Sequence, residues 1–362
     1  MITDKISAEQ IAGAKRLIDS AQHIVILTHV SPDGDAMGSS LGLMHWLRSQ
    51  GKQCQVITPN AAPDFLQWMP GANDILIYTN QLLNQSTNQL INQSTNQLST
   101  VDLIICTDFN EPKRIGVLGE MILQSPAPKI VIDHHLTSAS LDYAAVVMRY
   151  PDSPSASELV YRLIYQLGGT LNLDAATCIY TGMMTDTGNF SFNSNHCEMY
   201  EIVGQLVSLG VDKDAVYNHI FNSWSADRIK LVGYCLYHKM RLFPEHHTAL
   251  IYLSGRELYK FNFKSGDAEG IVNMPLQIKD VYYSVFMRED KVQEHEKTFA
   301  GGSKTKIKIS MRSQGDRPVS IFCHDIYNGG GHKNASGGEY YGPLPEAVKL
   351  FLDNYEKYFS KD

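Results

Sequence analysis

The sequence has 362 residues, with 31 Lys and Arg against 38 Asp and Glu and a formal net charge of −7. At about 150 residues per domain this length predicts two domains, and 43% hydrophobic residues exclude a disordered or fibrous protein. Proteins that bind long nucleic acids through surface charge are usually basic, so the acidic balance favours a small phosphate-bearing partner, or one bound through a metal.

The cysteines and the apolar runs indicate the cellular compartment in which the protein is expected. The six cysteines are scattered and form no C-x-x-C pair, which excludes a zinc ribbon and a dithiol redox site. Unpaired cysteines are typical of a reducing compartment, so a cytoplasmic location is predicted. Residues 1–18 have the pattern of an amphipathic helix rather than a signal peptide, and no apolar run approaches the roughly 20 residues of a membrane helix. The sequence therefore predicts no membrane partner.

The first half of the chain alternates short apolar runs with helical patterns, which predicts an α/β fold with a parallel sheet covered by helices on both faces. The predicted strands are 23–29 (HIVILTH), 53–58, 102–108 (DLIICTD), 129–133 and a short one at 146–147. Helices are predicted over 36–49, 155–167 and 173–184. Ser155, with Glu158 three residues later, has the pattern of a capping box.

One segment of the first half departs from this alternation. Residues 80–100 are polar and uncharged, and NQSTNQL occurs twice in them, at 84–90 and 92–98. This pattern predicts a low-complexity surface insertion between two strands, with a short solvated helix as the alternative. No catalytic role is expected for it.

The pattern changes in the last third of the chain. Residues 226–241 predict a single helix that joins two halves, and after Pro244 strands are predicted at 248–253, 281–287 and 306–311. An amphipathic helix over 345–359 closes the chain. We therefore predict a first domain over 1–222, a linker helix over 223–242 and a smaller α/β domain over 243–362.

Polar side chains with metal-binding potential follow several predicted elements of the first domain. Open α/β sheets bind ligands at the carboxyl ends of their strands, where these side chains are expected. Each group also has an ordinary structural interpretation, as a turn at 33–34, a helix N-cap at Asp108 or a helix end at 185–188. The candidate ligands are His29, Asp33, Asp35, Asp108, His134 and Asp186.

Such a set of carboxylates and imidazoles predicts a cation site. The carboxylates would repel one another without a cation, and oxygen ligands with some imidazole suit Mn²⁺ or Mg²⁺ better than soft metals. Six ligands are enough for two cations about 3.5–4 Å apart, the spacing that holds the attacking and departing oxygens of a phosphoryl transfer.

The same residues resemble the motifs of a known family. HVSPDGDAMGSS, the aspartate of ICTD, IDHH and MMTDTGNF resemble the four motifs of the DHH phosphoesterases. GGGHKNASGG (329–338), preceded by ISMRS (309–313), resembles the signature of the DHHA1 domain. The five motifs follow the family's order over nearly the whole chain, and the insertion at 80–100 falls between them. The resemblance is closest to the stand-alone oligoribonuclease and pAp phosphatase subfamily.

The resemblance implies a role for each candidate residue. It implies a parallel-sheet DHH domain that a linker helix joins to a smaller DHHA1 domain. One Mn²⁺ is expected at His29 and Asp33, and a second at Asp35, His134 and Asp186. Asp108 is expected to bridge both ions. His135 is expected beside the scissile phosphate, with Asp133 orienting a histidine.

The second domain is expected to bind the substrate. Lys304, Lys306, Lys308, Ser310 and Arg312 share one parity of a strand, which predicts one basic face, solvated at Lys304 and Lys306. Arg312 matches the family's phosphate-binding arginine, since a guanidinium binds phosphate bidentately. Further substrate-binding residues implied by the resemblance, across a cleft from the metals, are Gly330, Gly331, His332 and Asn334.

The predicted function is a phosphohydrolase with two divalent metal ions, Mn²⁺ or else Mg²⁺, that cleaves short single-stranded RNA or DNA oligonucleotides or bisphosphonucleosides such as pAp. Metal-activated water is the expected nucleophile, with His135 or a second water as proton donor. A linear or cyclic dinucleotide substrate is the main alternative. An inorganic pyrophosphatase, a long-chain exonuclease acting on duplexes and a non-catalytic nucleotide sensor are less favoured. A homodimer is compatible with the sequence.

Overall fold

The computed structural model describes residues 2–78, 101–136, 139–291 and 305–359. The predicted insertion at 80–100 and Lys304 lie outside the described residues. Contacts divide the chain into two units, Met1–Ser223 and Trp224–Asp362. The domain limits at 222 and 242 stay a prediction.

The first unit is built on a six-stranded parallel sheet with the order β3-β2-β1-β4-β5-β6. Its strands are β1 (His23–Leu27), β2 (Gln53–Thr58), β3 (Leu76–Ile77), β4 (Leu103–Thr107), β5 (Lys129–Asp133) and β6 (Val146–Arg149). Its helices are α1 (Ala8–Ser20), α2 (Gly34–Ser49), α3 (Val117–Gln124), α4 (Ala156–Gln166), α5 (Leu173–Asp186), α6 (Cys197–Ser208) and α7 (Lys213–Phe221).

Helices cover both faces of this sheet. Alternate side chains of a strand point to opposite faces. Ile24 and Ile26 of β1 accordingly join the core cluster that contains residues of α2 and α5, whereas Val25 and Leu27 join the cluster that contains residues of α3. The prediction of an α/β fold with helices on both faces is confirmed.

Helices α2 and α5 pack close together because glycines line their contact. A Cβ atom on Gly38 of α2 would lie 2.6 Å from the carbonyl oxygen of Cys178 in α5. A Cβ atom on Gly182 of α5 would overlap Ser157 Oγ and lie 3.0 Å from Asp35 Oδ1. The absence of side chains at these positions lets the first turn of α2 reach the last turn of α5.

The second unit has a mixed six-stranded sheet with the order β11-β12-β10-β9-β8-β7, in which only the β8–β9 pair is parallel. Its strands are β7 (Arg241–Phe243), β8 (Thr248–Leu253), β9 (Tyr283–Lys291), β10 (Thr305–Ser313), β11 (Gly330–His332) and β12 (Ala335–Tyr341). Its helices are α8 (Ala226–Tyr234), α9 (Gly255–Lys260), α10 (Ser320–Tyr327), α11 (Leu344–Leu352) and α12 (Tyr355–Tyr358).

The segment predicted as one helix over 226–241 is helical as far as Lys239, but it changes from α to π type and ends two residues before the predicted bound. Helix α8 ends at Tyr234, a π-helical turn follows over 235–239, and Arg241 already belongs to β7, where it pairs with Leu250 of β8. Pairing in the sheet therefore overrides the helical pattern at this point. Leu231 of α8 packs with Ile251 of β8 in one core cluster, so this helix contributes to the second unit's own core. None of the described helices combines the length and apolar character needed to cross a membrane.

Replacing Gly182 by alanine tests the close packing of α5 against Ser157 of α4 and Asp35 of α2. We expect Gly182→Ala to lower the free energy of unfolding by about 1–3 kcal/mol, because the added methyl group overpacks the contact. Gly204→Ala in α6 is the matched control, since no atom lies within 4 Å of its added Cβ. It should raise stability by about 0.5–1 kcal/mol through helix propensity. Urea unfolding of both variants measures this, and equal stabilisation of the two would contradict the packing argument.

Candidate metal centre

Three neighbouring strands of the first unit end side by side, and each is followed by a metal-binding type of side chain. The registers of β1, β4 and β5 bring their carboxyl ends to one edge of the sheet. His29, Asp108 and His134 follow these three strands and are all buried. The sheet therefore brings together side chains that are widely separated in the sequence.

Asp108 lies at the centre of this group. Its Oδ2 is 3.3 Å from Nε2 of His29, and its Oδ1 is 3.4 Å from Nε2 of His134 and 3.5 Å from Nδ1 of His135. Its backbone has a φ of 62°, in the left-handed region that non-glycine residues rarely adopt and that clusters at functional sites. Its N–H donates to Ile132 O at 3.0 Å, so this conformation begins directly at the end of the sheet.

Backbone carbonyls fix the tautomers of two histidines. His29 Nδ1 is 3.0 Å from Val30 O, and His134 Nδ1 is 3.1 Å from Ser153 O. A carbonyl oxygen only accepts hydrogen bonds, so each Nδ1 carries the hydrogen and each neutral Nε2 has a lone pair. Both lone pairs then face carboxylate oxygens, an arrangement that suits a shared cation.

Asp35 is held by the N-terminus of a helix. Its Oδ2 accepts from the N–H of Ala156 at 2.6 Å and its Oδ1 from the N–H of Ser157 at 2.9 Å, in the first turn of α4. Burial nevertheless raises the pKa of Asp35 to about 7, and the charge of Asp108 adds to the shift. Asp35 Oδ2 is also 3.7 Å from His134 Nε2, so this carboxylate faces the same imidazole as Asp108.

Two further carboxylates complete the group from helix ends. Asp33 caps α2 with Oδ1, which accepts from two N–H groups at 3.1 and 3.0 Å, and its Oδ2 is 3.7 Å from His29 Nε2. Asp186, the last residue of α5, places Oδ2 3.3 Å from His134 Nε2. All six residues predicted as metal ligands thus lie in one cluster.

The electrostatics of the cluster indicate an excess of negative charge. Burial raises the pKa of Asp108, but its contacts with His134 and His29 outweigh burial and hold that pKa well below its usual range. Burial lowers the pKa of His134, but the charge of Asp186 and the contact with Asp108 raise it well above its usual range. The pKa of Asp186 is itself raised, first by burial. Added positive charge would stabilise the ionised carboxylates of this cluster.

Two observations indicate that these residues could bind divalent cations. Asp108 Oδ1 is buried, and no described residue donates to it a hydrogen bond of good geometry. Three sets of possible ligand atoms, each within 4.8 Å, also share Asp108, and two of these sets consist entirely of predicted metal ligands. The first of these two is His29, Asp33 and Asp108, and the second is Asp35, Asp108 and His134.

His135 is oriented by a buried carboxylate. Its Nδ1 donates to Asp133 Oδ1 at 2.9 Å, and its backbone N–H donates to Asp133 Oδ2 at 3.1 Å. Asn110 Nδ2 donates to the same Oδ2 at 2.5 Å and to the carbonyl of His135 at 3.2 Å. The chain Asn110–Asp133–His135 therefore fixes the imidazole and leaves its Nε2 directed away from Asp133.

In the second unit, the strand register places two of the predicted phosphate-binding side chains on one face. Arg312 on β10 and His332 on β11 both pair with Ala335 of β12, so they flank the same position of the sheet. Gly330 is exposed, and Gly331 has a φ of 139°, a conformation that favours glycine. This face therefore combines a cation, an imidazole and unshielded backbone.

One expectation for the second unit is wrong, that for Lys306, whereas substrate binding by Asn334 stays a prediction. The Asn334 amide donates to Ser313 Oγ and to Gly315 O, both at 2.9 Å, so it holds the loop after β10. Lys306 was expected on a solvated face, and this expectation is wrong because its side chain is 3% exposed and pairs with Glu339 at 3.3 Å.

Sequence reasoning missed three groups that organise the centre. Asn110 follows Asp108 by two residues at a predicted strand end, and this position is the only signal that the sequence carries for it. The carbonyl of Ser153 and the N–H of Ala156 act through the backbone, so no side-chain pattern could reveal them.

Removing the Asn110 amide tests its support of Asp133. We expect Asn110→Ala to lower the free energy of unfolding by about 1–3 kcal/mol, because a fully buried carboxylate loses a donor. Asn222→Ala, which removes an exposed amide paired with Asn218, should change stability by less than about 0.5 kcal/mol. Thermal or urea unfolding compares the two variants, and an equally small effect in both would show that the amide adds nothing to the buried site.

Comparison with known proteins places these motifs in a family. A model of the "DHH family, N-terminal domain" matches residues 23–183. The bifunctional oligoribonuclease and PAP phosphatase NrnA of Thermus thermophilus is 28% identical over 91% of this chain and 88% of that protein. The cyclic-di-AMP phosphodiesterase PdeA of Listeria monocytogenes is 23% identical over 98% of this chain and 50% of its own length. The crystal structure of an exopolyphosphatase-related protein from Bacteroides fragilis is 44% identical, with a TM-score of 0.86 over 99% of this chain and 98% of that one. The chain therefore belongs to the DHH phosphoesterase family.

Proposed function

We propose that this chain, a hydrolase of phosphate esters, cleaves short oligonucleotides and 3′,5′-bisphosphonucleosides such as pAp. The main support is the pair of ligand sets that share Asp108, because two adjacent cation sites suit phosphoryl transfer. The likeness to an oligoribonuclease and PAP phosphatase over most of both chains supports the substrate class.

In this proposal two divalent cations occupy the centre. His29 and Asp33 would hold one, and Asp35, His134 and Asp186 the other, with Asp108 between them. Imidazole ligands favour Mn²⁺ over Mg²⁺. When bound, such ions lower the pKa of a water molecule and neutralise charge on the phosphoryl oxygens.

The side chains of the centre then have separate tasks. Asp133 keeps the Nδ1 hydrogen of His135 in place, so Nε2 is the atom that His135 presents to a substrate. From there it can donate a hydrogen bond to a phosphoryl oxygen, or a proton to the departing sugar oxygen. Asp35 is held by two N–H groups of α4, which orient it as a ligand.

The second unit would bind the substrate's terminal phosphate. Arg312 supplies a guanidinium, and Gly330 and Gly331 let the backbone approach an anion. His332 flanks Arg312 on the sheet, whereas Asn334 would act indirectly by holding the loop after β10. Few phosphates need to be bound, which agrees with the acidic net charge.

A dinucleotide such as pApA or cyclic-di-AMP is the second candidate substrate. The likeness to PdeA favours it, although this chain spans only half of that protein. A panel of pAp, pApA, oligonucleotides, cyclic-di-AMP and pyrophosphate, each with Mn²⁺, separates the candidates.

Removing the shared carboxylate tests the proposed two-metal site. We expect Asp108→Ala to abolish hydrolysis of every substrate that the unmodified protein cleaves, because both ligand sets lose a member. Asp19→Ala is the control, since the exposed side chain of Asp19 on α1 pairs only with Lys15 among the described residues. Initial rates at saturating Mn²⁺ measure the effect. Near-normal rates in Asp108→Ala would remove the two-metal mechanism.

Removing the Arg312 guanidinium tests terminal-phosphate binding. We expect Arg312→Ala to raise KM for pApA by about 10- to 100-fold, the range expected for losing a hydrogen bond to a charged group. KM for ApA, which lacks the terminal phosphate, should change much less. Arg241→Ala removes an exposed arginine of β7 and serves as control. Equal effects of Arg312→Ala on pApA and ApA would defeat the assignment.

A further inference from the structure

We infer that Arg114, in the first unit, binds a non-bridging oxygen of the substrate phosphate beside the metal centre. The inference rests on the proposed function for the identity of the substrate. It concerns a residue outside the six candidate ligands and outside the second unit's phosphate-binding face.

The backbone ties Arg114 to the loop that carries His29. The 3₁₀ turn Pro112–Ile115 follows β4 and Asp108, and the N–H of Val30 donates to Arg114 O at 2.9 Å. Val30 is the residue directly after His29. Arg114 is therefore anchored between the two segments that provide one of the ligand sets.

The turn that presents Arg114 is closely packed. Gly116 ends it with a φ of 58°, and a Cβ atom on Gly119 of α3 would overlap the carbonyl of Pro112. The backbone at Arg114 is thus fixed by its neighbours, and its own side chain is not needed to hold the turn.

The guanidinium of Arg114 is held by no ion pair. Within the described ranges, no side chain or carbonyl makes a hydrogen bond or salt bridge with it, whereas the adjacent Lys113 pairs with Glu111. Arg114 is half-buried, so part of the side chain reaches solvent. A cation beside several carboxylates that pairs with none of them remains available for an anion.

The charge of Arg114 nevertheless reaches the centre. Burial lowers the pKa of His29, the contacts and charges of Asp108 and Asp33 raise it, and the positive charge of Arg114 lowers it again. The guanidinium therefore lies within electrostatic range of the His29 imidazole.

Counting the charges at the centre shows why a further cation would favour substrate binding. Two divalent cations would neutralise the carboxylates of Asp33, Asp35, Asp108 and Asp186. A phosphodiester then adds a further negative charge that the metal ligands do not balance. Arg114 can supply the opposite charge, and its planar donors match two phosphate oxygens.

Three variants test the inference: Arg114→Ala, Arg114→Lys and the adjacent control Lys113→Ala. KM and kcat are measured with Mn²⁺ on the trinucleotide pApApA, and Kd is measured by equilibrium dialysis of its phosphorothioate-linked analogue. The affinity for Mn²⁺ alone is measured from the signal of free Mn²⁺ in electron paramagnetic resonance.

We expect Arg114→Ala to raise KM and Kd by about 10- to 100-fold, with kcat nearly unchanged, as for loss of a binding contact to a charged group. Arg114→Lys should keep the charge but not the bidentate geometry, so its increase should be smaller. Lys113→Ala should stay within about twofold of the unmodified protein, because its exposed ion pair contributes little. Mn²⁺ affinity should be equal in all four proteins.

Unchanged KM and Kd in Arg114→Ala would overturn the inference, as would a loss of Mn²⁺ affinity as large as the loss of substrate affinity. A lower kcat with unchanged KM and Kd would also overturn it. If the unmodified protein cleaves no substrate of the panel, the proposed function fails, and the dialysis result still decides the role of Arg114. If the analogue does not bind either, both fail.

Discussion

The contact of one buried carboxylate, Asp108, with the imidazoles of His29 and His134 is the constraint on which the first unit depends. Burying charge without compensation is costly, so the surrounding structure has to hold these groups at contact distance. The carboxyl ends of β1, β4 and β5 lie side by side and bring these residues together. The left-handed backbone conformation of Asp108 directs its side chain towards the two imidazoles. Carbonyls of Val30 and Ser153 then fix which nitrogen of each ring faces the carboxylate.

The same constraint explains the packing of the helices. Asp35 on α2 and Asp186 on α5 reach one imidazole, that of His134, only because glycines let the two helices approach. Helix α4 adds its N-terminal N–H groups to Asp35. A helix N-terminus stabilises a negative charge, so α4 offsets part of the cost of burying this carboxylate. The geometry of the candidate ligands therefore depends on how closely these helices pack.

The sequence predicted the parts of this arrangement that depend on side-chain type and chain order. Apolar runs followed by His29, Asp108 and 133–135 were enough to place these residues at one sheet edge. It could not predict Asn110 beside Asp133, because that contact depends on the direction of the chain after β4. The helical segment predicted over 226–241 stops at Lys239, because pairing of Arg241 with β8 is a tertiary effect that no local pattern carries.

The uneven charge of the chain follows from the same centre. Residues 1–242 have 15 Lys and Arg against 22 Asp and Glu, whereas residues 243–362 have 16 of each. The acidic excess thus lies in the segment that contains all four carboxylates of the candidate ligand set. Such a segment repels phosphate until cations are bound, and it would repel a long polyanion over its whole surface. A short substrate brings few charges outside the centre, so under the proposed function cations at the ligand sets would balance most of its charge.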